Sequence, residues 1–565
     1  MSFILARAFL LALASAGVTK GVFGPIDTGS AAGISGGQVA CSSPPVSSFF
    51  SGINPPYPTN SWWAPYAAPP GTATAAGPFP YESFLDGHGI VFGISTTRQF
   101  DGTSIKQPTQ TDWRVSFNEH SGVFNNHKAT AFDTQSVTVQ YFEGAATLTT
   151  YLVPGSPYLT FEYNGATPLF TPMNGGIQSF NGQSLSPGQT ASATGTTFTV
   201  TDTKGSTYLI YALTALTLTA TSASPTSGSI VAGGQFNGVL RFVMLSQPGH
   251  QVLLDQHYQV YPTSVQTDYS FSADSATLTF NWNTIGDGTN LLMLTWPHHR
   301  LTLQNANFPD TSALGYLTTK GWMYPAIGNQ WNMLYQLSPI TWSPPRPLDP
   351  SCTQSVLQGL VYQIGQLNAS AAPIPNEFYF WGGTLAAEAR LALIADIINP
   401  SPADPYFPIT RCRDWFTGHS WASGVANGAG SRDQESSGEG INGYYGALLW
   451  ASVALSQDYV NYAKLLLATE QHAAHVYWHL NPQQSATDRD NPYPEQEVRN
   501  LVTMGNVMDW QSGAFLFWGN QKVEIAAIQI LPVTPANEVL YDNQWVTNMW
   551  SYTMPELVNP AISDD

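Results

Sequence analysis

The chain has 565 residues, of which 43% are hydrophobic, 13% aromatic and 10% charged, enough apolar material for large cores and for more than one domain. Its formal net charge is −18, from 19 basic and 37 acidic residues, and no Lys/Arg cluster breaks that acidic surplus, which excludes nucleic acid as a partner. A charge-poor chain rich in Gly, Pro, Ser and Thr suits a secreted protein working on a neutral polymer.

The first residues, MSFILARAFLLALASAG, place one Arg inside an apolar run and end at an A-x-A site. They read as a signal peptide over 1–16, too short for a membrane span. No later stretch nears the roughly 20 apolar residues of a spanning helix, so no membrane insertion is expected. The expected location is extracellular or at the cell wall. Residues 17–52 read as a flexible Gly/Ser/Ala-rich leader. Cys41, Cys352 and Cys412 allow at most one disulfide and leave one thiol over. Asn368-Ala369-Ser370 is a glycosylation sequon.

From 53 to 337 the pattern is β. Val137/Val139/Tyr141, Leu159/Phe161/Tyr163, Tyr208/Ile210 and Leu278/Phe280/Trp282 alternate between turn-forming clusters. Many short period-two runs argue for an antiparallel β-sandwich with one face buried. Residues 338–350, SPITWSPPRPLDP, are proline-rich and read as a linker. Beyond it the period becomes helical. Leu385, Ala389 and Ile394 share one spacing, and Tyr459, Tyr462, Leu466 and Leu467 share another. An α domain is therefore expected over 351–565.

Residues 413–450 concentrate acids among rings and glycines: Asp414, Asp433, Glu435 and Glu439 lie among Trp, His and Tyr. Carboxylates that move protons beside flat rings that cover pyranose faces are what sugar hydrolysis needs. A helix from about Gln434 would set Glu435 and Glu439 at i and i+4 on one face. Asn442 and Gly446 would extend that stripe, while Ile441, Tyr445, Leu448 and Leu449 face a core. In a cleft, mutual repulsion and burial raise one pKa and orient a water. The plainer alternative is a solvated acidic edge at a helix N-terminus, where Glu is favoured. His475 and His479 are i,i+4 but lack a third ligand or a HExxH pattern. His298-His299 reads as a hydrogen-bonded loop pair. His419 either binds substrate or satisfies backbone groups. Neither metal nor cofactor is implied.

GHSWASG (418–424) followed by RDQESSGEGINGYYGALLW resembles the signature of glycoside hydrolase family 81. PYPTNSWW (56–63), PYLTFEY (157–163), LLMLTWPHH (291–299), KGWMYPAIGNQW (320–331), NPSPADPYFP (399–408) and IQILPVTP (528–535) fall in family order. The resemblance spans most of residues 50–545. It implies a multidomain β plus α fold, an antiparallel β-sandwich followed by an (α/α)6-barrel-like helical domain. It also implies inverting endo-hydrolysis of β-1,3-glucan, with that polysaccharide as the partner of a monomer. Glu435 matches the general base, and Glu439 a carboxylate that supports base and water. His419, Trp421, Gln434, Asn442 and Tyr444 match substrate-contact positions.

The family's general acid is an Asp in a D-x-H-F-H-Y-G-Y motif, which this sequence lacks. Its flanks, YFWGGTLAAEARLALIAD (379–396) and INPSPADPYFP (398–408), are fused directly. Aligning NEFYFWGG (376–383) with the motif instead would put Asn376 or Glu377 near the acid's place but matches fewer residues. Twelve helices of about 11–12 residues with their loops need roughly 200 residues. The segments 397–433 and 480–535 carry little helical pattern, so an incomplete barrel is expected. Inversion needs acid and base about 6.5–9.5 Å apart, and loss of the acid costs about 10²–10⁴-fold. Asp414 or Asp404 would be the substitute. The alternatives are a catalytically impaired β-glucan-binding protein and a mistranslated gene product.

Overall fold

The computed structural model describes residues 61–67, 75–108, 110–120, 127–310, 314–338, 358, 409–410, 412–422, 432–454, 457–517 and 519–559, with a two-stranded ladder of Ile26–Ser30 and Gly33–Gly36. That ladder lies inside the stretch expected as a flexible leader. The expected signal peptide, the linker after Ser338, the 385–394 stripe, the fused flanks at 379–408, Asp404, Cys41, Cys352 and Asn368 lie outside the described residues.

The alternating segments form strands, as their period requires. One antiparallel sheet of 14 strands dominates. Across its main path run Glu82–Leu85, Ile90–Gly93, Trp113–Phe117, Pro168–Pro172, Ser227–Ala232, Thr207–Ser224, Phe236–Leu245, Leu159–Ala166, Ala146–Leu152, Val137–Glu143 and His127–Phe132. The register pairs Val139 with Thr150 and Tyr141 with Leu148. Val137, Val139 and Tyr141 are buried while Thr138 and Gln140 are half-exposed, the two-residue pleat expected of a sheet with one covered face. Two three-stranded sheets follow, one around Ser275–Ile285 and one around Gly321–Ile327. Rings such as Trp113, Phe161, Phe242 and Trp331 fill the core beneath them. Each fully buried side chain of this size contributes about 1.5–3 kcal/mol.

Among the described residues four helices exceed eight residues: α1 (Ser437–Ala454), α2 (Gln457–Tyr477), α3 (Lys522–Ile530) and α4 (Asn543–Leu557). A closed (α/α)6 ring is not among them. α1 packs on α2, and α3 packs on both α1 and α4. The expected stripe of α2 holds: Tyr459, Tyr462, Leu466 and Leu467 are all buried.

A five-stranded sheet joins the two halves of the chain. β1 (Gln99–Phe100) and β2 (Ser104–Lys106) come from the N-terminal part. β3 (Asp433–Gln434), β4 (Asn506–Met508) and β5 (Gln511–Gly513) come from the C-terminal part, in the order β3-β4-β5-β2-β1. The strands of the C-terminal part fall at or within the segments 397–433 and 480–535 that carry little helical pattern, and one edge of their sheet is completed by residues 99–106.

Candidate active site

The expected helix start at Gln434 is displaced. Asp433 and Gln434 pair with Met508 and Val507 in the five-stranded sheet, and α1 begins at Ser437. The cause is local. Ser436 Oγ accepts from the backbone N–H of Glu439 at 3.0 Å, the bond an N-cap makes to the third helical residue. Glu435 therefore stands before the helix, on the strand-to-helix corner, and Glu439 stands in its first turn. They are not an i,i+4 pair on one helical face.

Nor is Glu435 a solvated edge. It is 3% exposed, and its Oε1 accepts from the backbone N–H of Phe517 at 3.0 Å. Phe517 is 63% exposed, so the amide that holds this covered carboxylate belongs to a residue open to solvent. Glu439 is half-buried. Burial, and then the charge of Glu435, push its pKa up to about 7 against a hydrogen bond from Ser436. Two carboxyl groups that influence each other, one anchored by a backbone amide and one proton-bearing near neutral pH, suit acid–base work.

His419, Trp421, Gln434, Asn442 and Tyr444 are each buried against protein. Asn442 holds the first turn of α1 to the 532–534 loop, donating to Gly438 O and Pro532 O and accepting from Thr534 Oγ1. Gln434 donates to Ser436 O at 3.2 Å. Arg413 lies over the Tyr444 ring at 5.7 Å. Trp421 has Arg432 over its ring at 4.4 Å and Lys320 at 5.0 Å.

His419 Nδ1 donates to Ser420 O, which leaves Nε2 to accept from Lys320 Nζ at 2.6 Å and fixes the tautomer. Burial, then the Lys320 charge, holds this imidazole neutral, with its pKa well below the usual value. Lys320 is itself fully buried, and desolvation brings it down to about 7 against the pull of Asp509. Gly418 beside it has φ +80°, and a Cβ there would meet the His298 ring at 2.9 Å. Glycine is required on both counts.

Asp414 is occupied. Its carboxylate takes Arg432 Nη1 at 2.6 Å and the N–H groups of Phe416 and Thr417. Arg432 also clamps Asp509 with Nε and Nη2. Glu470, on α2, accepts from Arg413 and from Ser420 N and Oγ. Burial raises its pKa, and Arg413 opposes that rise. These are the bonds of a buried ionic scaffold with satisfied lone pairs. The sequence reading missed Lys320, Glu470, Arg432 and Gln529. Glu470 was findable, because it follows Leu466 by four on the buried stripe of α2.

The other histidines that the sequence singles out are held in packing. His298-His299 is not a loop pair but sits in a buried one-turn helix, Pro297–Arg300. His298 accepts from the Tyr477 hydroxyl and donates to Phe416 O. His475 donates to Leu540 O, and His479 stacks on Trp545.

Two family models match this chain. The glycosyl hydrolase family 81 N-terminal domain covers residues 45–347, and the C-terminal domain covers residues 364–564. The chain belongs to glycoside hydrolase family 81. It is thereby a glycosidase. It is 22% identical over 622 residues to a glucan endo-1,3-beta-D-glucosidase of Glycine max, a match covering 91% of this chain and 89% of that protein. It is 30% identical over 167 residues to the primary septum glucan endo-1,3-beta-D-glucosidase of Schizosaccharomyces pombe, which covers 30% of this chain and 16% of that one. A mutant of the family 81 glycoside hydrolase from Clostridium thermocellum shares the fold. Its TM-score is 0.69 at 16% identity, over 90% of this chain and 81% of the other.

Proposed function

We propose that this chain is a secreted endo-β-1,3-glucanase of family 81 in which Glu435 is the general base. The observation that carries the role is its placement. The carboxylate is covered, held by a backbone amide, and adjacent to a second carboxyl whose pKa has risen to about 7. In inverting hydrolysis the base deprotonates a water beneath the anomeric carbon while an acid protonates the departing oxygen on the other face. Glu439, proton-bearing below about pH 7, supports the water without adding a second negative charge. Gln434 bonds the main chain of the corner and Asn442 that of the first helical turn; the roles of His419, Trp421 and Tyr444 as substrate contacts rest on the family pattern. The large antiparallel sheet and the helices that follow it are consistent with the β-then-α order of the family.

The family's acid motif has no counterpart in the sequence. Asp414 cannot easily replace it, because Arg432 and two amides hold its carboxylate. That observation favours slow turnover and keeps a second reading, a β-glucan-binding protein built on the same site. Reducing-sugar release from a linear β-1,3-glucan, beside a pull-down on the insoluble polymer, separates the two. For the enzyme, Glu435→Gln cuts release by about 10²–10⁴-fold and leaves the pull-down intact. Release that survives this substitution rejects Glu435 as base. Retention on the polymer with no release from the parent chain selects the binding protein.

A further inference from the structure

The corner at residues 435–437 leads directly to both carboxyl groups, and one distant side chain grips it on two sides. Gln529 lies on α3 and is fully buried. Its Nε2 donates to the main-chain carbonyl of Glu435 at 2.7 Å. Its Oε1 accepts from Ser437 N at 2.8 Å and from Ser437 Oγ at 2.7 Å. Between these two residues, Ser436 Oγ donates to the carbonyl of Ile528 at 2.9 Å. All three corner residues are therefore tied to the same end of α3.

The chemistry of the grip is specific. A carbonyl needs a donor, and the first N–H of a helix needs an acceptor. A carboxamide supplies both from one rigid plane. Ser436 serves the N–H of Glu439, and Gln529 serves that of Ser437, so two orphan donors of α1 are met by two side chains. The approach is close enough to leave no slack. A Cβ at Gly438 would lie 2.5 Å from Leu531 O and 2.8 Å from Gln529 O. Phe517 N then fixes the far end of the Glu435 side chain.

We infer that Gln529 is the positioning residue of the glutamate pair: by tying the carbonyl of Glu435 to the first turn of α1, it sets where the Glu435 carboxylate stands relative to Glu439. This rests on the reading of Glu435 as base. Gln529 acts through the main chain and touches neither carboxylate. Glu435 is the charged neighbour that raises Glu439, so a change in their separation alters the titration of the pair.

The test uses the full chain with Gln529→Ala and Gln529→Glu. The glutamate keeps an acceptor for Ser437 but turns an oxygen toward the Glu435 carbonyl. On linear β-1,3-glucan, both variants should lose about 10- to 100-fold in kcat, the scale of small misplacements, with KM within about twofold of the parent. Difference infrared titration of the protonated carboxyl band, assigned with Glu439→Gln, needs no turnover. Its midpoint should move away from the parent value in both variants, and upward in Gln529→Glu, where added negative charge disfavours a further anion. An unchanged infrared midpoint in both variants overturns the inference, whatever the activity. A parent chain that releases no sugar rejects the hydrolase reading and leaves the infrared result to decide on Gln529. If Gln529→Ala does not fold, Gln529→Asn, one methylene shorter, carries the same two readouts.

Discussion

At the scale of single residues, Glu439 is the group whose ionisation the fold controls most visibly. Its pKa stands near 7 because burial, and then Glu435, oppose the charged form. The folded chain therefore holds a proton on Glu439 from the usual carboxyl range up to about pH 7, where the unfolded chain has lost it. By linkage this group makes folding less favourable as pH rises through that window. Below the unfolded pKa both states are protonated and the penalty vanishes. If Glu435 is the base, a second anion beside it should also disturb the attacking water. Activity on β-1,3-glucan should accordingly fall as pH rises through about 7, and that limb should be absent in Glu439→Gln, whose amide cannot ionise. The same variant should melt above the parent at pH 8 and level with it at pH 4. A pH–rate profile with an unchanged limb in Glu439→Gln would remove this residue from the mechanism. The acids themselves were visible in the sequence, since four carboxylates in a charge-poor, ring-rich stretch stand out. How each of them is held was not visible. Asp414 and Glu435 look alike in sequence, and only the fold shows one locked to Arg432 and the other held by the backbone amide of an exposed residue.

At the scale of elements, period-two runs predicted strands well because each strand buries one face. The run 137–141 sits in Val137–Glu143 and the run 278–282 in Ser275–Ile285. The helix start was misplaced by three residues because Gln434 was assigned to the helix on acid spacing alone. The sequence held the correcting signal: Ser436 and Glu439 form the S-x-x-E pattern of a capping box. α1 also departs from a one-sided helix. Asn442, Tyr444 and Ala447 are buried as well as Ile441, Tyr445 and Leu448, while Leu449, expected in the core, is only partly covered. A helix covered on both sides explains its glycines. Gly440 leaves room where a Cβ would stand 2.9 Å from Gln434 Nε2 and Glu470 Oε1. Gly438 is tighter, because its neighbours are backbone carbonyls that cannot rotate away. Replacing it by Ala should gain about 1 kcal/mol of helix propensity and lose about 1–3 kcal/mol to overpacking. The clash at 2.5 Å from Leu531 O decides the sign. Gly438→Ala should melt below the parent, and its residual activity should fall further than that of Gly440→Ala, whose contacts are side-chain termini able to shift. Thermal denaturation beside sugar release measures both, and a Gly438→Ala protein that melts higher refutes the close approach.

At the scale of the whole molecule, the change of period marked where helices begin, and it gave no sign of the short strands that tie the β part of the chain to the α part. The joining strands are two or three residues long, too short to show any periodicity, and their partners lie some 400 positions away in the chain. Ser104–Lys106 pairs with Gln511–Gly513, and Gln511 Nε2 donates to Ser104 Oγ across a separation of 407 residues. Arg98 reaches Glu495, Pro492 O and Thr318 O. Gln107 N donates to Trp510 O, and Thr319 Oγ1 to Asp509 O. Most telling is Ile105, buried in a core otherwise made of C-terminal residues: Ala473, Tyr477, Trp478, Leu480, Tyr493, Val498, Met504 and Val507. A domain that folds alone needs its own complete core, and this one borrows a residue from the other half. Expression of residues 351–565 alone should therefore yield an aggregating or proteolysed product, since it lacks Ile105 and leaves the edge of Gln511–Gly513 unpaired. In the full chain, Ile105→Ala should cost about 2–5 kcal/mol and lower the melting transition of the C-terminal core, read from the assigned fluorine resonance of 5-fluorotryptophan at Trp478, with the β-sheet signal in circular dichroism falling at the same temperature. If the fragment folds with a sharp transition of its own, or if the two signals separate in Ile105→Ala, the halves are independent and the shared sheet is an ornament of the native state rather than its fastening.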